Sequence, residues 1–156
     1  MAIYLLPLFK KYGIILLSYM TGIGLSGCNR SDQLIFLEAE SFKNTGGWVV
    51  DQQSFDIIGS SYLLAHGLGV PVQDAVTSIS LTVSGDYSVW VRARDWVAPW
   101  NAKGGPGKFQ LIFGNVPHKT VFGTEGAAWH WQNGGRVRLK AGETSISLHD
   151  LTGFDG

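Results

Sequence analysis

Val76-Thr77-Ser78-Ile79-Ser80-Leu81-Thr82-Val83-Ser84-Gly85-Asp86-Tyr87-Ser88-Val89-Trp90-Val91-Arg92-Ala93-Arg94 is the stretch that decides the fold. Ile79, Leu81 and Val83 alternate with Ser78, Ser80 and Thr82, the period of a strand with one face buried and one in water. Ser84-Gly85-Asp86 reads as a tight turn into a second run. There Tyr87, Val89, Val91 and Ala93 share a core face, and Trp90, Arg92 and Arg94 point the other way. Two such runs around a turn predict a hairpin.

The same grammar extends in both directions. Leu34 to Glu40, Trp48-Val49-Val50 and Tyr62-Leu63-Leu64-Ala65 are short extended runs separated by Gly-rich turns. Phe109 to Phe113 and Lys119 to Phe122 bracket Gly114-Asn115 as a second hairpin, and Arg136 to Leu139 with Thr144 to Leu148 bracket Ala141-Gly142-Glu143 as a third. No amphipathic helix longer than two turns is visible. Closely spaced strands without helices predict an all-β fold, an antiparallel β-sandwich or jelly roll.

Five of the six tryptophans fall near predicted strand ends, which points to binding rather than catalysis. Trp96 and Trp100 flank Ala98-Pro99 in one loop, with Arg94, Asp95 and Asn101 as a polar border; Trp129-His130-Trp131-Gln132 forms a second cluster. A flat ring with polar neighbours is what a pyranose needs, its C–H face on the ring and its hydroxyls on the border. Trp96, Trp100, Trp129, Trp131, Arg94, Asp95 and His130 are therefore the candidate ligand-binding residues. Each ring has an alternative fate as a plug folded into the core. If the second cluster is extended, Trp129 and Trp131 share one face and His130 and Gln132 the other.

Catalytic motifs are missing: there is no Gly-x-Ser-x-Gly, no His-Glu-x-x-His and no paired histidines at metal spacing. His149 and Asp150 are neighbours on a predicted strand and so point to opposite faces. Lys103-Gly104-Gly105-Pro106-Gly107 lacks the Gly-Lys-Ser/Thr ending and the helix of a phosphate cradle. Glu38 and Glu40 would lie on one face of the first strand. Facing inward they would need a cation, and calcium suits paired carboxylates; facing outward they are simply solvated.

The first residues read as a targeting device. Lys10 and Lys11 precede an apolar run from Gly13 to Gly24 that leads into Leu25-Ser26-Gly27-Cys28. The run is shorter than the roughly 20 residues that span a bilayer, and the small residues before Cys28 suit a peptidase. This resembles a bacterial lipoprotein signal over residues 1–27, with Cys28 as the lipidated residue, 28–33 as a tether and 34–156 as the binding module. An exported lipoprotein held on a periplasmic or cell-surface membrane face is the expected location. Cys28 is the only cysteine, so no intramolecular disulfide can form. Removing residues 1–27 leaves 10 basic against 12 acidic side chains, with no basic stripe for a nucleic acid.

Leu37-Glu38-Ala39-Glu40, Gly85 to Arg92, and Leu139 to Gly142 with Ser145 to Leu148 resemble the galactose-binding-like jelly-roll carbohydrate-binding modules that begin with Glu-Ala-Glu. Gly46 to Gln53, Ala65 to Val72, Arg94 to Trp100, Phe122 to Gly126 and His149 to Phe154 resemble, further, the N-terminal module ahead of the flavin domain in certain secreted bacterial FAD-dependent oxidoreductases. The likeness runs from Phe36 to Gly156. It implies a module that binds carbohydrate or docks on a flavin domain. In those proteins the chain goes on into a final strand and a dinucleotide-binding domain; here no Gly-x-Gly-x-x-Gly follows a strand. The resemblance thus implies a C-terminally truncated module without its last strand, with no cofactor of its own and FAD only in a missing domain. It also weakens calcium, because the relatives' last strand supplies a further acid. Three functions remain open: a carbohydrate-binding module, an interaction module for a flavin domain, and a polysaccharide lyase or hydrolase.

Overall fold

The alternation around Gly85 is realised as two strands, but they belong to two different sheets. The structure is a computed structural model that describes residues 1–8, 33–100 and 107–154. Its strands are β1 (Ala2–Leu8), β2 (Ile35–Glu38), β3 (Trp48–Asp51), β4 (Tyr62–Ala65), β5 (Ala75–Leu81), β6 (Gly85–Ala93), β7 (Phe109–Phe113), β8 (Val116–Phe122), β9 (His130–Leu139) and β10 (Gly142–Asp150). A single helical turn, α1 (Phe55–Ile58), lies between β3 and β4. One sheet runs β2-β1-β6-β9, the other β5-β10-β7-β8, and β3-β4 is a separate ribbon. The pairings are antiparallel throughout. The chain is an all-β sandwich.

Two predicted hairpins are corrected. β5 pairs with β10 and β6 with β1 and β9, so residues 82–84 cross from one sheet to the other. Lys140 and Ala141 make the same crossing between β9 and β10. Ala141 N–H donates to Ser84 Oγ at 2.7 Å, tying the crossings together, and the Tyr87 hydroxyl donates to the Val83 carbonyl at 2.7 Å. A period of two dictates which side chains are buried, and that part holds. Ile79 and Leu81 face Tyr87, Val89 and Val91 across one core, because the two strands cover each other instead of lying side by side. The hairpin of β7 and β8 forms as expected, with Phe113 opposite Val116.

The core takes Ile3, Leu5, Val89 and Val91 from the first sheet and Leu111, Ile146 and Leu148 from the second, all fully buried. Each such side chain contributes about 1.5–3 kcal/mol relative to exposure. The ribbon closes one end, where Trp48 meets Phe109 edge-on at 6.0 Å between centroids. At the side, Gly134 of β9 offers its carbonyl to the β8 side chains, Thr120 Oγ1 donating at 2.8 Å and His118 Nε2 lying in contact. This joins the two sheets at their edges.

Residues 2–8, read from the sequence as part of the leader, form the second strand of the first sheet. Lys10, Lys11, the apolar run to Gly24 and Cys28 lie outside the described residues, as do Asn101 and residues 102–106. Among the described residues no helix is long and apolar enough to cross a membrane.

Candidate functional site

β6 ends at Ala93, and the chain turns at once through Arg94-Asp95-Trp96-Val97 into a 3-10 turn at Ala98–Trp100. Asp95 builds the turn. Its Oδ1 accepts the Val97 N–H at 3.1 Å, and its own N–H donates to the Gly126 carbonyl at 2.8 Å. Such an aspartate turn relieves a backbone donor and stiffens the loop. Asp95 is thereby committed to shaping the site, with one carboxylate oxygen used at home.

Arg94 folds back so that its guanidinium carbon lies 4.4 Å from the centroid of the Trp96 ring. Trp96 in turn sits 6.5 Å from Tyr62, and Tyr62 meets Trp129 edge-on at 5.0 Å. These four side chains, with Met1, line a small recess at the loop end of the sandwich that has room for about one water molecule, floored by Leu63, Leu64 and Phe109. Trp96 and Trp129 are partly buried and packed on the core. Trp100, four residues beyond Trp96, is 67% exposed.

The recess is apolar with unused polar capacity. Among the described residues, Arg94 Nε and Trp129 Nε1 are buried without hydrogen-bond partners, and the Tyr62 hydroxyl lies near Ser54 and Asp51 without a well-formed bond. Burial raises the Tyr62 phenol above its ordinary range, with the nearby Asp51 carboxylate adding to the effect and Ser54 opposing it. Buried polar groups without partners are uncommon and costly, and Arg94 and Trp129 each bring one to this end of the sandwich, whereas the Tyr62 hydroxyl lies toward Ser54 and Asp51, outside the recess lining. Among the described residues no carboxylate lines it.

The remaining predicted residues separate. β9 starts at His130, so Trp129 stands before the strand and turns to the core, while Trp131 within it faces outward. Trp129 and Trp131 consequently do not share a face. Trp131 packs against Tyr4 at 4.7 Å between centroids and joins Trp90 and Leu6 on the outer face of the first sheet. His130 is held by its own loop, with Nδ1 2.9 Å from the Ala128 carbonyl and Nε2 3.6 Å from Glu125. Gln132, on the buried side of β9, has both amide atoms without partners among the described residues.

Glu38 and Glu40 do not form a common ligand face. β2 ends with Glu38 exposed, whereas Glu40 falls in the following 3-10 turn and lies 3.6 Å from the buried Met1 ammonium. Among the described residues no group of three or more His, Cys, Asp or Glu side chains is placed to hold a metal ion. His149 and Asp150 diverge as expected. His149 Nδ1 meets Asp74 at 2.8 Å, while Asp150 is buried and accepts backbone N–H groups.

Tyr62, the hub of the recess, is missed by sequence reasoning. It reads as the first residue of a buried run, and nothing local brings β4 beside Trp96 and Trp129. Tyr4, beside Trp131, lies in a segment read as leader.

No protein-family model and no curated protein sequence matches the chain. Among solved structures, it is similar to a Podospora anserina GH26-CBM35 β-(1,4)-mannanase at 22% identity and a TM-score of 0.54. The match covers 74% of this chain and 24% of that one, so the chain spans about a quarter of the length of this neighbour. What the likeness shows is the fold, a β-sandwich.

Proposed function

We propose that the chain is a non-catalytic carbohydrate-binding module that takes its ligand on the loop end built by Arg94, Trp96, Tyr62 and Trp129, where the recess itself has room for about one water molecule and the exposed Trp100 ring is the stacking platform. The observation that carries this is the convergence of three aromatic rings and an arginine on one loop end, beside the exposed ring of Trp100. Sugar C–H faces stack on exposed indole rings, and sugar hydroxyls bond to polar side chains at the ring border. The likeness to a mannanase carrying a CBM35 supports the class of ligand and makes β-1,4-mannan the first probe.

Calorimetry with manno-, gluco- and galacto-oligosaccharides tests the proposal. Binding in the micromolar to millimolar range that is lost in Trp96→Ala and Trp100→Ala is the expected result. No heat with any of these sugars at millimolar concentration would sink it.

A second reading has its own observation. Tyr4, Leu6, Trp90 and Trp131 form an aromatic face on the outside of the first sheet, and Phe36 packs on Tyr4 at 4.7 Å. A module that docks on a flavin-dependent oxidoreductase domain would use this face. Trp131→Ser would then weaken association with such a domain and leave sugar binding intact.

The exported, membrane-anchored location is proposed on the leader and Cys28 alone. Metabolic labelling with a palmitate analogue, lost in Cys28→Ser, is its test.

A further inference from the structure

β1 holds the first sheet together, and it is the one strand that the sequence assigns to a removable leader. It pairs with β2 through four register positions, Ala2 with Glu38 to Leu5 with Ile35, and with β6 through seven, Ala2 with Arg92 to Leu8 with Asp86. Among the described residues β2 has no other neighbour in its sheet. Inward, Ile3 and Leu5 are fully buried; outward, Tyr4 is wedged between Phe36 and Trp131 at 4.7 Å from each. The Ala39 N–H donates to the Met1 carbonyl at 2.9 Å and extends the contact past the end of β2. An antiparallel neighbour needs a connection of only about 2–5 residues, whereas residues 9–34 separate β1 from β2. A link of that length does not dictate where β1 sits. The fit of the strand to the channel does.

We propose that the channel between β2 and β6 is a strand-acceptor site for an extended, alternately apolar segment antiparallel to both walls, and that Ala2–Leu8 of this chain occupies it as a separable strand. Main-chain ladders on both sides supply affinity, and the inward pockets filled by Ile3 and Leu5 supply register, as in strand addition to a sheet. This is independent of the carbohydrate reading. It places two demands on one segment: residues 2–8 are core in the folded chain and are lost if the leader is cut before Cys28. Processing would leave β2 unladdered and one edge of β6 bare, an acceptor open to another strand.

The test uses the full chain with a specific protease site inserted between Lys11 and Gln33. After folding and cutting, the N-terminal fragment is expected to co-elute with the body in native gel filtration. It should exchange with a fluorescent peptide of sequence Ala2–Leu8, and a peptide carrying Ile3→Asp and Leu5→Asp should bind about 100-fold more weakly, since buried unpaired charge is costly. Equal binding of the two peptides would overturn the proposal. A second measurement stands without cutting. In the full chain with Ile3→Asp and Leu5→Asp, amides of Ile35–Glu38 and Gly85–Ala93 should exchange about tenfold faster or more while β10 and β7 keep their protection. Unchanged protection in β2 and β6 would refute strand acceptance there.

Discussion

The guanidinium carbon of Arg94 lies 4.4 Å over the ring of Trp96, the next residue but one. One face of that indole is therefore covered by a cation of its own loop, and the Asp95 turn between them keeps the two side chains in place. Such a pair contributes roughly 0.5–1 kcal/mol where water reaches it. Its larger effect is to fix the ring before a ligand arrives, so that little rotamer entropy is lost on binding. Arg94→Ala is expected to weaken sugar binding about tenfold, a loss of roughly 1.4 kcal/mol, with only a small fall in stability. Trp96→Ala should abolish measurable binding, and Trp131→Ala, on the other face, should leave it unchanged. Calorimetric titration of the three variants with one ligand separates the loop end from the outer sheet face as the binding surface.

Asp150 carries a heavier structural role than any of the predicted ligand residues. Its carboxylate, 1% exposed, accepts the N–H groups of Val72, Thr152 and Gly153, each at 2.9 Å. Removing it orphans three backbone donors in a buried place. Asp150→Ala is expected to cost about 3 kcal/mol, and Asp150→Asn about half of that, because one amide oxygen can keep part of the set. Urea unfolding measures both. A cost below about 0.5 kcal/mol for the alanine variant would contradict this account.

The turn that Asp150 supports admits no side chain at its tightest point. Gly153 has φ +73°, and a Cβ there would lie 2.1 Å from the Val70 carbonyl carbon. Both the backbone conformation and the space exclude alanine, and the obstacle is main chain that cannot swing away. Gly153→Ala should destabilise by roughly 2 kcal/mol or more. Gly142→Ala also has positive φ, at +113°, but meets open space, so it should cost less. The order of the two melting midpoints is the measurement.

The core was legible in the sequence because alternation is a local signal. Ile79, Leu81, Tyr87, Val89 and Val91 are buried as their period of two requires. Pairing was not legible, because the pattern is the same whether the facing strand lies beside or across. What separates β5 from β6 includes the Ser84 to Ala141 bond, which joins residues 57 positions apart. The candidate site was legible in part for the same reason. Arg94 and Trp96 are neighbours in one loop and stay together. Trp129 and Trp131 form one cluster in the sequence, and the start of β9 at His130 sends them to different faces. Tyr62 carries no local mark of its role, which depends wholly on the docking of the β3-β4 ribbon.

The buried amino terminus makes stability depend on pH. Burial lowers the pKa of the Met1 ammonium from 8.0, with Arg92 acting in the same direction and Glu40 and Glu38 opposing. In the unfolded chain the group keeps its ordinary value, so between the folded pKa and pH 8.0 the unfolded state binds the proton more tightly. Stability must then rise with pH through that window and level off above it; below the folded pKa the full penalty of the buried cation remains. Thermal melts across this range should give a midpoint that climbs toward pH 8. Histidines titrate nearby in pH, so the decisive comparison is with an N-terminally acetylated chain, in which the Met1 contribution is gone. The difference between the two melting curves should shrink as pH rises toward 8. Parallel curves would show that the amino group is solvated and that Met1 does not sit beside Glu40 in the folded protein.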